Sequence, residues 1–215
     1  MLLETSLCFL VFTVLDRAIT KAKWQSPYYA VHAIHNAGIV AVTAPDLYHT
    51  FTDIHHVQNY EMNWLAAQLC LALHLYHIAF YWQKFRLDDW LHHGLMIGLA
   101  LPLACLLPSH TFLGISLFFT TGLPGGIDYT MLFLVRNGYL EKHIEKRINA
   151  FLNVWIRSPG CAGAAALSWA SCLSAPVIDP LMLIAPALTY WNGQYFMRQV
   201  VEDYRAYLMG EARRA

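Results

Sequence analysis

The sequence has little charge and no excess of either sign. Only 13% of its 215 residues are Asp, Glu, Lys or Arg, and 14 basic side chains balance 14 acidic ones. A protein that follows the phosphates of a nucleic acid needs a basic surface, so the composition excludes nucleic acid as a partner. Because 57% of the residues are hydrophobic and apolar runs recur along the whole chain, we expect one integral membrane domain over residues 1–215.

Several familiar motifs are also missing. The five cysteines form no Cys-x-x-Cys pair and lie in apolar segments, which favours buried thiols over disulfides or zinc. Residues 122–128 (Gly-Leu-Pro-Gly-Gly-Ile-Asp) lack the Lys and the Ser or Thr of a phosphate-binding loop, so we expect a helix kink that presents Asp128. The first 15 residues lack a basic start and a cleavage site, which predicts a retained first span.

The apolar segments predict an all-α, polytopic membrane bundle of about seven helices. Each segment approaches the roughly 20 residues that cross a hydrocarbon core of about 30 Å. All 14 Lys and Arg residues fall on one side of the resulting topology. The positive-inside rule therefore predicts that the N-terminus is outside and the C-terminus is on the basic, inner side. The predicted segments are residues 1–19, 28–48, 62–83, 91–108, 110–135, 158–176 and 179–199.

The sixth segment has the least distinct start. Residues 139–156 mix charges with large apolar side chains, which is typical of an amphipathic helix at the membrane interface. Ser158 and Pro159 follow, and they suit the N-cap and the first helical position of a new helix. We therefore expect an interfacial helix first and a separate span after it.

Histidine is the most informative residue type. Ten of the 11 histidines lie between residues 32 and 110. On the predicted topology the intramembrane ones lie within about 15 Å of the basic edge, and Asp128 lies about 12 Å deep. Ionisable groups inside a span usually face a bundle interior or a wet cavity. The pattern predicts a polar chamber open to the basic side, with His32, His35, His74, His77, His92 and His93 around it and with His49, His55, His56 and His110 near the outer interface.

Several chemistries remain open for this chamber. Each single histidine also fits a packing role with one hydrogen bond. A dinuclear iron site needs histidine boxes that the chain lacks, and a bis-histidine haem would need a facing pair such as His35 with His74. We therefore predict no metal and no cofactor. Acyl transfer fits the pair His92 and His93, which can act as base or nucleophile while a neighbouring carboxylate orients the ring.

One stretch resembles a known family. Residues 85–94 (Phe-Arg-Leu-Asp-Asp-Trp-Leu-His-His-Gly) resemble the histidine pair at a helix start in the TLC-domain membrane proteins, which include the Lag1-type ceramide synthases, the TRAM proteins and the CLN-type members. Residues 28–32 (Tyr-Tyr-Ala-Val-His), Asp128 with Tyr129, and residues 188–195 (Leu-Thr-Tyr-Trp-Asn-Gly-Gln-Tyr) are similar to further family motifs. Together the resemblance covers roughly residues 25–205.

The resemblance implies a seven-helix-like bundle around a chamber that lipids can enter. In ceramide synthases the histidine pair, here His92 and His93, supports transfer of a fatty acyl group from acyl-CoA to a sphingoid amine. Asp128 would match the last aspartate of the family's His-Asp-x-x-Asp motif. Pro124 and Gly125 stand where that motif begins with His-Asp.

The sequence therefore predicts a TLC-like integral membrane protein that binds or handles a membrane lipid. Two alternatives stay open: an acyl-CoA-dependent lipid N-acyltransferase, and a non-catalytic subunit that binds other membrane protein subunits. Both the endoplasmic reticulum and the inner mitochondrial membrane are compatible with the sequence. The predicted catalytic residues are His92, His93 and Asp128. The predicted lipid contacts are His32, His35, His74, His77, Tyr129, Trp191 and Asn192.

Overall fold

The chain is all-helical in the part that the structure describes. The computed structural model describes residues 2–54, 63–106 and 112–212, with the backbone alone at 211 and 212, and no strand occurs in these ranges. His55, His56 and His110 lie outside the described residues. Seven continuous helices follow one another: α1 (Leu2–Lys21), α2 (Pro27–Thr52), α3 (Trp64–Lys84), α4 (Leu87–Leu106), α5 (113–136), α6 (142–173) and α7 (Ile184–Ala212), the last after a 3-10 turn at Pro180–Leu183.

The helices coincide with the predicted segments to within a few residues at most ends. The main difference lies in α6, where Lys142–Leu152 continues through Asn153–Arg157 into Ser158–Leu173 without a break. The prediction that Ser158 caps a new helix is therefore wrong. Its hydroxyl instead accepts a hydrogen bond from Gln194 Nε2 of α7 at 3.0 Å. This contact binds the centre of α6 to α7.

Within the described ranges, two helices are long and apolar enough to cross a membrane. They are Trp64–Lys84 and Leu87–Leu106, with mean hydropathies of 1.3 and 1.2. Half of the α3 window is buried inside the protein, against 11% of the α4 window. Most of the α4 surface is thus not covered by the other helices, whereas α3 is central to the bundle. These two helices give weak support for a membrane protein, because the core helix of a soluble protein meets the same criteria.

A close contact between α2 and α5 forms the seam of the bundle. We call Asn36, Thr121 and Gly125 the α2–α5 seam. Asn36 is fully buried, and its Oδ1 accepts hydrogen bonds from the Thr121 hydroxyl at 2.8 Å and from His35 Nδ1 at 2.8 Å. A Cβ at Gly125 would lie 2.7 Å from Asn36 Nδ2. The glycine therefore lets the two helices approach closely enough for the buried amide to bond.

Three helices contain a π-helical stretch. These stretches are His93–Ala100 in α4, Phe118–Gly122 in α5 and Asn153–Arg157 in α6. A π-helical turn has one more residue between hydrogen-bond partners than an α-helical turn, and such turns are frequent at functional sites. In α5 the stretch directly precedes Pro124, which occupies the first turn of the following α-helix. The predicted irregularity near Pro124 is therefore a π-helical stretch that ends there.

Candidate functional site

A cavity of about 260 Å³ lies between α2, α3, α4, α5, α6 and α7. We call it the central cavity. Its polar end contains the histidines of α3 and α4 together with acidic and basic side chains. Its apolar end lies further along α4 and α5. The residues that define the two ends are His32, His74, His77, His92, His93, Asp128, Asn153, Arg157 and Asn192 at the polar end, and Met96, Ile97, Ala100, Leu101, Ala104, Leu113 and Leu117 at the apolar end.

One face of α4 follows the cavity from end to end. Its lining residues recur every four positions over 16 residues, about 24 Å of helix. In a regular α-helix of 3.6 residues per turn, a four-residue repeat would drift by about 40° each time. The wider π-helical turns at His93–Ala100 offset this drift. The face consists of Asp88, Asp89, His92, His93, Met96, Ile97, Ala100, Leu101 and Ala104.

The histidines at the polar end touch one another. His74 Nε2 lies 3.1 Å from His92 Nε2, and the His32 and His77 rings stack with centroids 4.3 Å apart. The ring centroids of His74 and His93 are 5.0 Å apart. His74 and His77 come from α3, and His92 and His93 come from α4. A short loop between Lys84 and Leu87 connects these two helices. The structure thus brings the predicted pair His92 and His93 together with His74 and His77.

The two aspartates beside the histidine pair have other partners. Asp88 Oδ1 accepts a hydrogen bond from the Tyr195 hydroxyl at 2.6 Å, which joins α4 to α7. Asp89 Oδ2 accepts one from the Arg86 backbone N–H at 2.8 Å, which closes the first turn of α4. His93 is oriented instead by the backbone carbonyl of Asp89, 2.7 Å from its Nδ1. The expectation that a neighbouring carboxylate orients the ring is therefore wrong for His93.

Several buried polar atoms around the cavity have no hydrogen-bond partner among the described residues. They belong to side chains that line the polar end, where a buried polar group without a partner costs free energy. Such groups call for a water, an ion or a ligand. The unpartnered atoms are His77 Nε2, His92 Nδ1, His93 Nε2, Asp128 Oδ1, Asn153 Oδ1 and Arg157 Nε.

Most of the predicted site residues line the central cavity. His32, His74, His77, Tyr129 and Asn192 do so, and they join the predicted catalytic residues His92, His93 and Asp128 there. Two predicted lipid contacts, His35 and Trp191, lie elsewhere in the fold.

His35 lies in the bundle interior and not in the cavity lining. Its ring meets the Phe12 ring edge at a centroid distance of 5.7 Å, and its Nδ1 bonds to Asn36. Trp191 is also outside the lining, and it stacks on Tyr195 with centroids 4.8 Å apart. Both residues lie one to three positions from a cavity residue on the same helix. Because each residue is rotated around the helix axis relative to its neighbour, their side chains point to a different face of the helix.

Two residues of the polar end were not predicted from the sequence. In the sequence, Arg157 counted only among the basic residues of an inner loop. In the structure its Nη2 donates to Asn192 Oδ1 at 3.1 Å, and its guanidinium lies 4.5 Å from the Phe196 ring centroid. Asn153 lies one turn before Arg157 and lines the same cavity. The available signal was their spacing of four residues, which places both side chains on one helix face.

A buried carboxylate lies outside the predicted spans. The Glu145 side chain is only 2% exposed. Burial raises the pKa of Glu145, and the nearby Lys146 opposes this shift. Lys146 also pairs with Asp203 of α7. The first part of α6 is thus held to α7 by the Lys146–Asp203 pair. Beside this pair, burial disfavours the ionised form of Glu145.

The geometry supports two kinds of chemistry. Imidazole nitrogens that converge within a few ångströms can bind a metal ion or exchange a proton. The apolar end offers a surface for an alkyl chain, next to polar groups that can hold a headgroup. Comparisons with protein-family models, with curated proteins and with solved structures find no match to this chain.

Proposed function

We propose that this chain is a multi-pass membrane protein of TLC-like architecture that binds one membrane amphiphile in the central cavity. The six unpartnered polar atoms at one end of the cavity carry the proposal, because buried polar atoms of this kind call for a ligand and a headgroup can bond to those that face it. The proposal keeps the predicted topology, with the polar end facing the basic side. Membrane lipids are then both the solvent of the bundle and the source of its ligand.

The length and polarity of the cavity favour an amphiphile over a wholly polar ligand. The α4 face changes from four ionisable side chains to five apolar ones along its length. Each methylene group that leaves water for such a surface contributes about 0.8 kcal/mol. A cavity of about 260 Å³ lies just below the usual range of small-molecule sites, roughly 300–1,000 Å³. It suits a headgroup with part of one chain.

Arg157 favours a headgroup with an acidic oxygen. Its Nε is buried without a hydrogen-bond partner among the described residues, and its Nη2 already donates to Asn192. A guanidinium in this state binds carboxylate or phosphate oxygens through short, charge-assisted hydrogen bonds. Asp128 on the facing helix then needs a donor from the same headgroup or a water, because its Oδ1 is unpartnered.

The outer surface of α1 suits the membrane. Its apolar side chains project outward over about three and a half turns, which in water would form an exposed apolar patch of unusual size. In a bilayer the same residues contact acyl chains. The exposed side chains on this face are Leu2, Leu3, Leu7, Leu10, Val11 and Val14.

Lipid analysis of the purified protein tests this function. We expect about one amphiphile per chain after purification in mild detergent, measured by native mass spectrometry and by extraction. Ala104→Trp fills the apolar end and should abolish retention, whereas Leu106→Trp places the same ring on the 79% exposed outer surface of α4 and should not. Wild-type protein without a bound amphiphile, or equal retention by both folded variants, would contradict the proposal.

Acyl transfer is a second candidate, favoured by the contact between His74 and His92. A ring nitrogen 3.1 Å from a second imidazole can pass on a proton that it takes from an amine or hydroxyl. Purified protein supplied with an acyl-CoA and a sphingoid base should then form an N-acyl product. His92→Ala and His93→Ala should remove the activity, and turnover no higher than that of these variants would refute this candidate.

A further inference from the structure

Three histidines at the polar end form a group that nothing in the sequence pattern marked as a metal site. The ligand atoms of His74, His77 and His93 all lie within 4.8 Å of one another. We propose that they bind one divalent transition-metal ion of the zinc class in the wall of the central cavity. This inference rests on the proposed function only in using the same cavity, and it replaces the expectation that the chain binds no metal.

Backbone contacts fix which nitrogen each ring presents. His74 Nδ1 lies 2.7 Å from the Cys70 carbonyl oxygen, and His93 Nδ1 lies 2.7 Å from that of Asp89. A carbonyl oxygen only accepts hydrogen bonds, so Nδ1 carries the proton in both rings. Nε2 is then a free lone pair, which is the form that binds metals, and an Nδ1–H bond to a carbonyl is the usual support of such a ligand.

His77 on α3 adds a third ring nitrogen to the group. His77 follows His74 by three residues, so the two side chains leave one face of α3. The Nε2 atoms of His77 and His93 are buried with no hydrogen-bond partner among the described residues. His32 stacks on the His77 ring at an interplanar angle of 14° and limits its rotation. A metal ion would satisfy both orphaned nitrogens at once.

His92 occupies the place next to this group. Because His74 Nε2 carries no proton, the 3.1 Å contact requires His92 Nε2 to donate. His92 Nδ1 is then the unprotonated atom, in agreement with its lack of a donor among the described residues. His92 thus covers the lone pair of His74 in the metal-free protein and must turn aside when an ion binds.

The donor set selects the class of ion. Three neutral imidazoles suit zinc, copper, iron or nickel, whereas calcium and magnesium take oxygen ligands. Tetrahedral zinc with Zn–N distances of about 2.0–2.1 Å needs nitrogens about 3.3 Å apart, so side-chain rotation must bring the three rings together. Since all three rings line the cavity, the fourth position opens into it. Three protein ligands with one open position is the arrangement of catalytic zinc sites.

Zinc binding to the full-length protein in detergent, after removal of metals by a chelator, tests the inference. We expect one Zn²⁺ per chain in competition with a chromogenic chelator, and visible bands of tetrahedral Co²⁺ when cobalt replaces zinc. His77→Ala and His93→Ala should each weaken Zn²⁺ binding by at least about 100-fold, since loss of a supporting outer contact alone costs 10–100-fold. His143→Ala, at an exposed histidine of α6, should bind as the wild type does.

A second measurement does not depend on the variants folding. In wild-type protein, Zn²⁺ should protect His74, His77 and His93 from chemical acylation, as read by mass spectrometry, and should leave His143 unprotected. Absence of Zn²⁺ binding, equal loss in the His143→Ala control, or unprotected cluster histidines would overturn the inference. Bound amphiphile is measured on the same samples. Amphiphile without zinc refutes only the metal site, and zinc without amphiphile refutes only the lipid function.

Discussion

Two buried polar regions of this bundle differ in what their polar atoms contact. In the α2–α5 seam, Asn36 Oδ1 accepts hydrogen bonds from His35 and Thr121, and a glycine brings the helices together around it. His35 Nε2 and Asn36 Nδ2 have no hydrogen-bond partner among the described residues. At the polar end of the central cavity, His77 and His93 keep their Nε2 atoms buried and unpartnered among the described residues.

The difference separates polar groups that stabilise the fold from polar groups that are available to bind a ligand. The Thr121 hydroxyl of α5 donates to Asn36 Oδ1 of α2 across the helix contact, and His35 Nδ1 bonds to the same oxygen within α2. Loss of these bonds would weaken the fold. His77 and His93 face a cavity that a ligand can fill. The free-energy cost of burying their unpartnered Nε2 atoms is therefore offset only when a ligand binds. The histidines of the two regions share a residue type but differ in position. His35 is not in the cavity lining, whereas His77 and His93 are.

The largest effect should come from filling the seam. Gly125→Ala places a Cβ 2.7 Å from Asn36 Nδ2, and overpacking of this kind costs about 1–3 kcal/mol. We expect the melting temperature to fall by roughly 5–10 °C in a protein of this size. Gly163→Ala is the control, because its Cβ would meet no atom within 4 Å. A Gly125→Ala protein as stable as that control would show that the seam is not closely packed.

A second variant, Arg157→Gln, tests whether the charge of Arg157 binds a headgroup at the polar end. Arg157→Gln removes a charge-assisted hydrogen bond worth about 1.5–3 kcal/mol to an acidic headgroup. Retention of an acidic amphiphile, measured on folded protein, should fall by at least about tenfold. Arg147→Gln removes an exposed charge from the same helix and should retain the amphiphile fully. Equal retention by both variants would remove Arg157 from the binding site.

A third variant tests whether the histidine cluster is dispensable for folding. His77→Leu replaces an imidazole with an unpartnered Nε2 by an apolar side chain, and such exchanges are nearly neutral for stability. With a metal chelator present, we expect the melting temperature to stay within about 2 °C of the wild type. The seam variant Asn36→Leu should lose more. A severe loss in His77→Leu would erase the distinction between the two regions.

The smallest effect should be the pH dependence of Glu145, a buried polar group outside both regions. Its pKa is raised above the ordinary 4.5, chiefly by burial. A raised folded pKa means that its favourable contribution is present below the unfolded pKa and is lost as the pH rises through the folded pKa. Glu145→Gln should therefore melt slightly higher than the wild type near pH 8 and equally near pH 4.

Glu141→Gln is the matched control for this pH profile, since the Glu141 side chain is 75% exposed. It should show no such pH-dependent gain. A gain for Glu145→Gln that is larger at low pH would contradict the assignment of a raised pKa.

The sequence predicted much of the architecture. Apolar length and helical period indicated seven helices, and the described residues form seven. The histidines and Asp128 were assigned to one chamber from their depth along the predicted spans, and most of them do line the central cavity. Depth can be counted along a helix because each residue adds a fixed rise.

Rotation about each helix could not be counted in the same way. His35 was predicted to face the chamber and instead bonds within the seam, whereas Arg157 was assigned to a loop and lines the cavity. Three π-helical stretches shift the registers of α4, α5 and α6, and no residue pattern announced them. A single inserted residue turns every following side chain around the axis.

The sequence by itself determined the all-helical class, the approximate positions of most helices and the concentration of histidine toward one edge, because these follow from local periodicity and composition. The tertiary structure decided which ring nitrogens meet, which carbonyl fixes each tautomer and which polar groups remain without partners. These properties depend on distances between atoms of different helices, such as His74 with His92 at 3.1 Å. Only the packing of the bundle sets such distances.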